Sequence, residues 1–142
     1  MLEMLKPSLR NFMGEGVYDG FSIAKATSEH ANILQHNLRD SDVRECIIHG
    51  ASPFRALMSG VREKGENYTC IIDGQPICMF GVNPIMEMMI GRIWLLGSYE
   101  IEKRGRKFIR WSQSVVNYYQ EQYYQLENVV PADHKDTINW LQ

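Results

Sequence analysis

The sequence predicts a mixed α+β domain in which helices flank a central, mostly antiparallel sheet. Three observations carry this. Short apolar or alternating runs are interleaved with capped, helix-length segments along the whole chain. Two of those runs, 67–72 and 75–82, meet across Asp73-Gly74, the strongest short-range hairpin signal a sequence can carry. A further run, Arg92-Ile93-Trp94-Leu95-Leu96, feeds a long helix through a basic turn that contains one glycine.

Residues 1–20 read as an N-terminal arm. Gly14, Gly16 and Gly20 punctuate them, Pro7 interrupts any helix, and Leu2, Leu5, Leu9 and Phe12 give a loose apolar face. Residues 21–142 read as one domain. Phe21-Ser22-Ile23-Ala24-Lys25-Ala26 alternates as a half-buried strand does, and Thr27-Ser28-Glu29 supplies a helix cap followed by acid. The helix it opens runs over 29–37 and presents Ala31, Ile33 and Leu34. Asp40-Ser41-Asp42 caps a short helix to His49. Ser52-Pro53 starts a third, with proline at the first helical position and Phe54, Leu57, Met58 and Val61 on one side.

The hairpin follows, with Ile71, Ile77 and Met79 expected inside it. A strand over about 88–96 comes next, then a helix from Phe108 to about Glu121 that buries Phe108, Trp111, Val115 and Tyr119. Its tyrosines suit core and rim packing better than base stacking. A short strand over 126–130 and a half-helix over 133–141 end the order.

Composition narrows the function. The 142 residues are 44% apolar and 23% charged with a net charge of −2, so no overall field recruits nucleic acid or an anionic membrane. No apolar run is long enough to span a bilayer, and residues 1–13 lack the pattern of a signal peptide. A cytoplasmic protein is the default expectation. Cys46, Cys70 and Cys78 have no metal-ligand spacing, and His30, His36, His49 and His134 are scattered, so no metal site is expected. A two-residue turn at Asp73-Gly74 sets Cys70 opposite Ile77 and Cys78 opposite Thr69, on opposite faces of the sheet, which predicts no disulfide.

The candidate site lies after the strand 92–96. A loop over 97–102 leads to Lys103-Arg104-Gly105-Arg106-Lys107, and the helix opens at about Phe108. The first amides of a helix have no intrahelical partners, the macrodipole adds positive potential there, and glycine lets a ligand approach. That arrangement holds phosphate. The competing reading is a solvated first turn with Gly105 closing a loop. No residue is assigned a catalytic role, since spacing selects neither Tyr99 nor Glu100.

The strand at 23–26 with its cap Thr27-Ser28-Glu29-His30, the turn Ile72-Asp73-Gly74-Gln75-Pro76-Ile77, and Arg104-Gly105 after the fourth strand together resemble the GNAT fold of acetyl-CoA-dependent N-acetyltransferases. Within it, residues 37–45 (Asn37 to Glu45), Met79-Phe80-Gly81-Val82, Trp94-Leu95-Leu96-Gly97-Ser98, Leu126-Glu127-Asn128 and Ile138-Asn139-Trp140-Leu141 resemble a tailed-bacteriophage subgroup related to internal virion protein A. The resemblance implies that acetyl-CoA phosphates lie against Lys103, Arg104, Gly105, Arg106, Lys107 and Phe108, with the pantetheine arm along Leu95 and Leu96. The sequence departs from the family in this loop, where Arg104-Gly105 is followed by Arg106-Lys107-Phe108-Ile109 and the second and third glycines are missing. It departs again at a pantetheine-binding asparagine (His134) and at a general-acid tyrosine (Leu141), and it stops at Gln142, before the family's last two strands. The resemblance therefore implies a catalytically degenerate phage protein acting in virion morphogenesis or host takeover through protein contacts. It would sit in the infected cell's cytoplasm or the virion. The alternative is an acetyl-CoA-dependent N-acetyltransferase using the basic loop. An open edge on the strand 126–130, with the arm beside it, predicts self-association or docking on other phage proteins.

Overall fold

The computed structural model describes residues 17–18, 20–62, 66–85 and 89–127. Its strands form one six-stranded sheet in sequence order: β1 (Val17–Tyr18), β2 (Phe21–Lys25), β3 (Glu66–Ile72), β4 (Gln75–Ile85), β5 (Ile90–Gly97) and β6 (Gln125–Glu127). All neighbours are antiparallel except β5 and β6, which run parallel. The expected α+β class with a mostly antiparallel sheet is what the chain adopts. The sheet begins inside the segment read as an arm, because Val17 and Tyr18 pair with Ser22 and Phe21. The rest of that arm, the end of the last strand and the half-helix over 133–141 lie outside the described residues.

Between β2 and β3 come α1 (Ser28–Leu34), α2 (Asp40–Ile48) and α3 (Pro53–Arg62). Thr27 caps α1: its Oγ1 accepts from the His30 amide at 3.2 Å, while its own amide donates to His30 Nδ1 at 3.3 Å. That helix ends three residues earlier than expected, with 35–37 as turn. Ser52 Oγ accepts from the Arg55 amide, so the serine-proline start of α3 forms as read. After β5 come α4 (Glu100–Arg104) and α5 (Arg106–Gln122).

The two faces of the sheet carry separate cores. Against α5 lie Phe21, Cys70, Ile77, Phe80, Val82, Ile93, Phe108, Trp111, Val115 and Tyr119. Phe21 stacks on Trp111 with ring centres 5.6 Å apart, and Phe80 meets the same indole edge-on at 5.1 Å. On the other face α1–α3 cover Ala31, Leu34, Leu57, Met79 and Leu96. Tyr118, Tyr119 and Tyr123 are buried and Tyr124 is exposed, which fits core and rim packing.

The hairpin turns where expected, with Asp73 and Gly74 at φ +50° and +77°. Its register differs. Ile71 pairs with Pro76, but Cys70 pairs with Cys78, so Ile77 is an extra residue bulged out of β4. Proline donates no ladder hydrogen bond, which weakens pairing beside the turn. The bulged Ile77 carbonyl is taken instead by Ser98, through its amide at 2.9 Å and its hydroxyl at 2.8 Å. The shift brings Cys70 and Cys78 onto the same face as direct neighbours, correcting the expected opposite placement. Both are buried and reduced, and burial, then the adjoining Cys78 thiol, push Cys70 far above the usual thiol range. Ile77 and Met79 are buried as expected, but Ile71 is only half-buried.

Candidate functional site

The carboxyl end of β5 is fixed from two sides. Ser98 binds the bulge in β4, and a bridge joins Leu38 to Ser98. Asp42, at the third position of α2, is fully buried, and its Oδ2 accepts from Arg39 Nε at 2.9 Å, Arg39 Nη2 at 2.8 Å and the Gly97 amide at 2.9 Å. The Gly97 carbonyl in turn accepts from the Arg39 amide at 2.9 Å. The sequence reading assigned Asp42 to a cap cluster. The structure instead makes it the buried tie between α2 and the strand that leads into the site, and no side chain caps α2.

Beyond Ser98 the expected loop 97–102 is partly helical. Glu100 to Arg104 form α4, and the long helix starts at Arg106 rather than at Phe108. Gly105 joins them at φ +50°, ψ −119°, a conformation that residues with a Cβ rarely adopt. No side chain caps α5, so the amides of its first turn are available to a ligand. Lys103, Arg104, Arg106 and Lys107 are all exposed around that start. Glu100 engages two of them, at 3.1 Å from Lys103 Nζ and 3.7 Å from Arg104 Nη2. Among the described residues Arg106 and Lys107 have no ion pair. Phe108 is buried against Phe21 and Trp111, so it offers a ligand its backbone and anchors the helix start with its ring. Tyr99 Oη accepts from the Asp40 amide at 3.1 Å. Both loop candidates for chemistry, Tyr99 and Glu100, are thus engaged structurally.

Leu95 and Leu96 do not present one surface. Successive strand residues face opposite ways, and here Leu95 packs toward the α5 core while Leu96 is buried in the core beneath α1–α3. What they share is a strand edge. Among the described residues, β6 pairs with β5 only at Ile90, Gly91 and Arg92, leaving the 93–96 backbone beyond that pairing.

On the helical side of this edge lies a cavity of about 610 Å³ between α2, α3 and β5. Its lining includes Glu45, Arg55, Asn83, Arg92, Trp94 and Leu96. Among the described residues that line it, Glu45 is the one carboxylate. Burial, then the charge of Asp42, push this group up to about 7 against a smaller downward pull from Arg39. Trp94 Nε1 donates to Asn67 Oδ1 at 2.8 Å, and the indole lies against Gly60, where a Cβ would overlap it. Sequence reasoning missed Glu45, Asn83, Arg55 and Trp94 as a group. They come from four different elements, and the only local signal was a glutamate beside Cys46 on a short helix. A second cavity, of about 600 Å³, lies between the α1–α2 turn, the β3–β4 turn and Tyr99 to Arg104. Among the described residues no cluster of metal-ligating side chains occurs.

No family model matches the chain, and no curated protein matches it in sequence. Solved structures do match in fold. A GNAT-family acetyltransferase from Bacillus anthracis superposes with a TM-score of 0.63 at 12% identity, covering 85% of this chain and 76% of that one. A transcriptional regulator from Bacillus halodurans gives 0.57 at 12% identity, covering 84% and 88%. A ribosomal-protein-alanine N-acetyltransferase from Brucella melitensis gives 0.52 at 12% identity, covering 84% and 86%. At these identities the likeness is one of fold.

Proposed function

From the GNAT-like fold as premise, we propose that this protein binds a nucleotide thioester of the acetyl-CoA type at the start of α5 and transfers its acyl group to an amine. The observation that carries the reading is the uncapped first turn of a 17-residue helix, ringed by four exposed cations, close beyond the end of β5. The residues fit a diphosphate. Arg106, Lys107 and Phe108 offer backbone amides, and Lys103, Arg104, Arg106 and Lys107 offer charge. Each charged hydrogen bond to phosphate is worth about 1.5–3 kcal/mol, less where solvent reaches it. Among the described residues the edge of β5 at 93–96 has no strand paired beyond Glu127, and there it offers amides and carbonyls to an amide-bearing arm. When bound, the thioester supplies an activated acyl carbon. The chain's own work is to fix that ligand against β5, which the Asp42–Gly97 and Ser98–Ile77 hydrogen bonds hold in place.

Titration with CoA and with acetyl-CoA tests the reading. At a hundred times Kd either ligand raises stability by about 2.7 kcal/mol, an easily measured shift in Tm. Replacing Arg104 and Arg106 together by alanine abolishes it. No shift with the native protein, or an unchanged shift in the double variant, refutes the site.

A second reading is favoured by the departures of the loop, which lacks the family's further glycines and commits Lys103 and Arg104 to Glu100. On that reading the scaffold is catalytically degenerate. It acts in phage morphogenesis or host takeover through contacts with its own copies or other phage proteins, in the infected cytoplasm or the virion. Its support is the phage-subgroup resemblance of Asn37-Leu38-Arg39-Asp40-Ser41-Asp42 and Trp94-Leu95-Leu96-Gly97-Ser98. Co-purification from infected cells and light scattering on the purified chain test it. A monodisperse monomer that retains no phage protein rules it out.

A further inference from the structure

The first turn of α1 is tied down by one imidazole. The Nδ1 atom of His30 takes the Thr27 amide at 3.3 Å and lies 2.8 Å from the Thr69 hydroxyl on β3. We infer that His30 is a proton-operated latch: neutral, it closes the capping box of α1 and fastens that turn to the sheet, and protonation opens it. The inference stands on these contacts and is independent of the acyl-transfer reading.

The contacts fix which proton the neutral ring carries. A backbone N–H can only donate, so Nδ1 is the acceptor and the ring proton sits on Nε2. The Thr69 hydroxyl then donates to the same atom. Thr69 is fully buried, so the pair is no nucleophile and base for an outside substrate; the imidazole is instead the acceptor that a buried hydroxyl needs. Protonation places an N–H on Nδ1 as well. Thr69 Oγ1 can turn and accept from it, but the Thr27 amide cannot, so two donors are left facing each other at the cap. The helix spans only Ser28–Leu34, a length at which the cap decides whether the first turn holds.

The surroundings favour the neutral ring. Burial lowers the imidazole's pKa from 6.5, against a smaller upward pull from Glu29 on its own helix. The other charged side chains on the elements around it are Lys25 at the end of β2, Glu66 at the start of β3, and Arg55 and Arg62 on α3; β4 has none. Tyr68 and Cys70 on β3, and Cys78 on β4, face the α5 core. A histidine whose folded pKa is lowered supplies stability that is complete above the unfolded value of 6.5 and is lost as pH falls through the folded value. Acid is therefore the trigger, and the half-buried ring is open to solvent protons.

Heteronuclear NMR of the imidazole nitrogens, read from about pH 8 to about pH 5, tests this on the intact chain. His30 is expected to hold its proton on Nε2 at the upper end and to titrate with a midpoint below 6.5, and the Thr27 amide shift follows the same midpoint. His30→Gln supplies a capping partner that does not titrate, since glutamine at this position of the box also reaches back to the cap amide. The native protein is expected to lose Tm relative to this variant as pH falls across that range. Because Glu45 titrates in both, its contribution cancels in the difference. A proton on Nδ1 at the upper end, a His30 midpoint at or above 6.5, or a Tm difference that does not change with pH overturns the proposal.

Discussion

Asp42 is the residue whose removal says most about how the site is held. Its side chain is fully buried, and one oxygen takes three hydrogen bonds, two from Arg39 and one from the Gly97 amide. Asp42→Ala leaves the Arg39 guanidinium buried beside a cavity and the Gly97 amide without that acceptor. Breaking a buried pair from one side costs about 3–5 kcal/mol, most of it the penalty of the stranded charge. The amide is part of that figure rather than an addition to it, since the three bonds share one oxygen and are not additive. Urea denaturation of the variant is therefore expected to show a loss of about 3–5 kcal/mol, with Tm lower by roughly 10 °C. The double variant Arg39→Met with Asp42→Leu removes both charges and recovers a large part of the loss, because apolar pairs of similar volume replace buried ion pairs at little cost. If the start of α5 holds CoA as proposed, Asp42→Ala is expected to weaken that binding as well, by loosening β5. A loss below about 1 kcal/mol, or a double variant no more stable than the single one, refutes this account of the Arg39–Asp42–Gly97 tie.

Three further outcomes follow from particular contacts. Gly105→Ala is expected to cost about 1–3 kcal/mol by thermal denaturation, because φ +50° with ψ −119° is strained for any residue with a Cβ although the space around it is open. Gly60→Ala inverts the usual helix rule: an exposed glycine-to-alanine change in a helix gains about 1 kcal/mol, but here the Cβ overlaps the Trp94 indole, so denaturant titration shows a loss of about 1–3 kcal/mol. Glu45 gives a pH signature. Its folded pKa of about 7 lies above the ordinary 4.5, so the native protein loses stability as pH rises through that window, whereas Glu45→Gln does not. Discounted for its partial exposure, the variant is more stable than the native chain by roughly 1 kcal/mol at pH 8 and equal to it near pH 4.

The local chemistry of the chain was legible without a structure wherever one residue type forces one conformation. Asp73-Gly74 turns the hairpin, Thr27 caps α1, Ser52-Pro53 opens α3, and the spacing of Phe108, Trp111, Val115 and Tyr119 marks the buried face of α5. Each depends on neighbours within four residues, which a sequence displays. The cations at 103–107 and the glycine among them were legible for the same reason. Tertiary structure alone decided the rest. A bulge at Ile77, bound by Ser98 twenty-one residues away, moved Cys70 and Cys78 to one face. Burial against α2 and β5 turned Asp42 from a helix-start acid into an internal tie, and set Leu95 and Leu96 into different cores. The cavity around Glu45 draws on α2, α3, β4 and β5, so its carboxyl owes its raised pKa to burial among segments far apart in the chain. A sequence fixes what each residue can do; desolvation and long-range hydrogen bonds, which exist only once the sheet has closed against its helices, decide what it does.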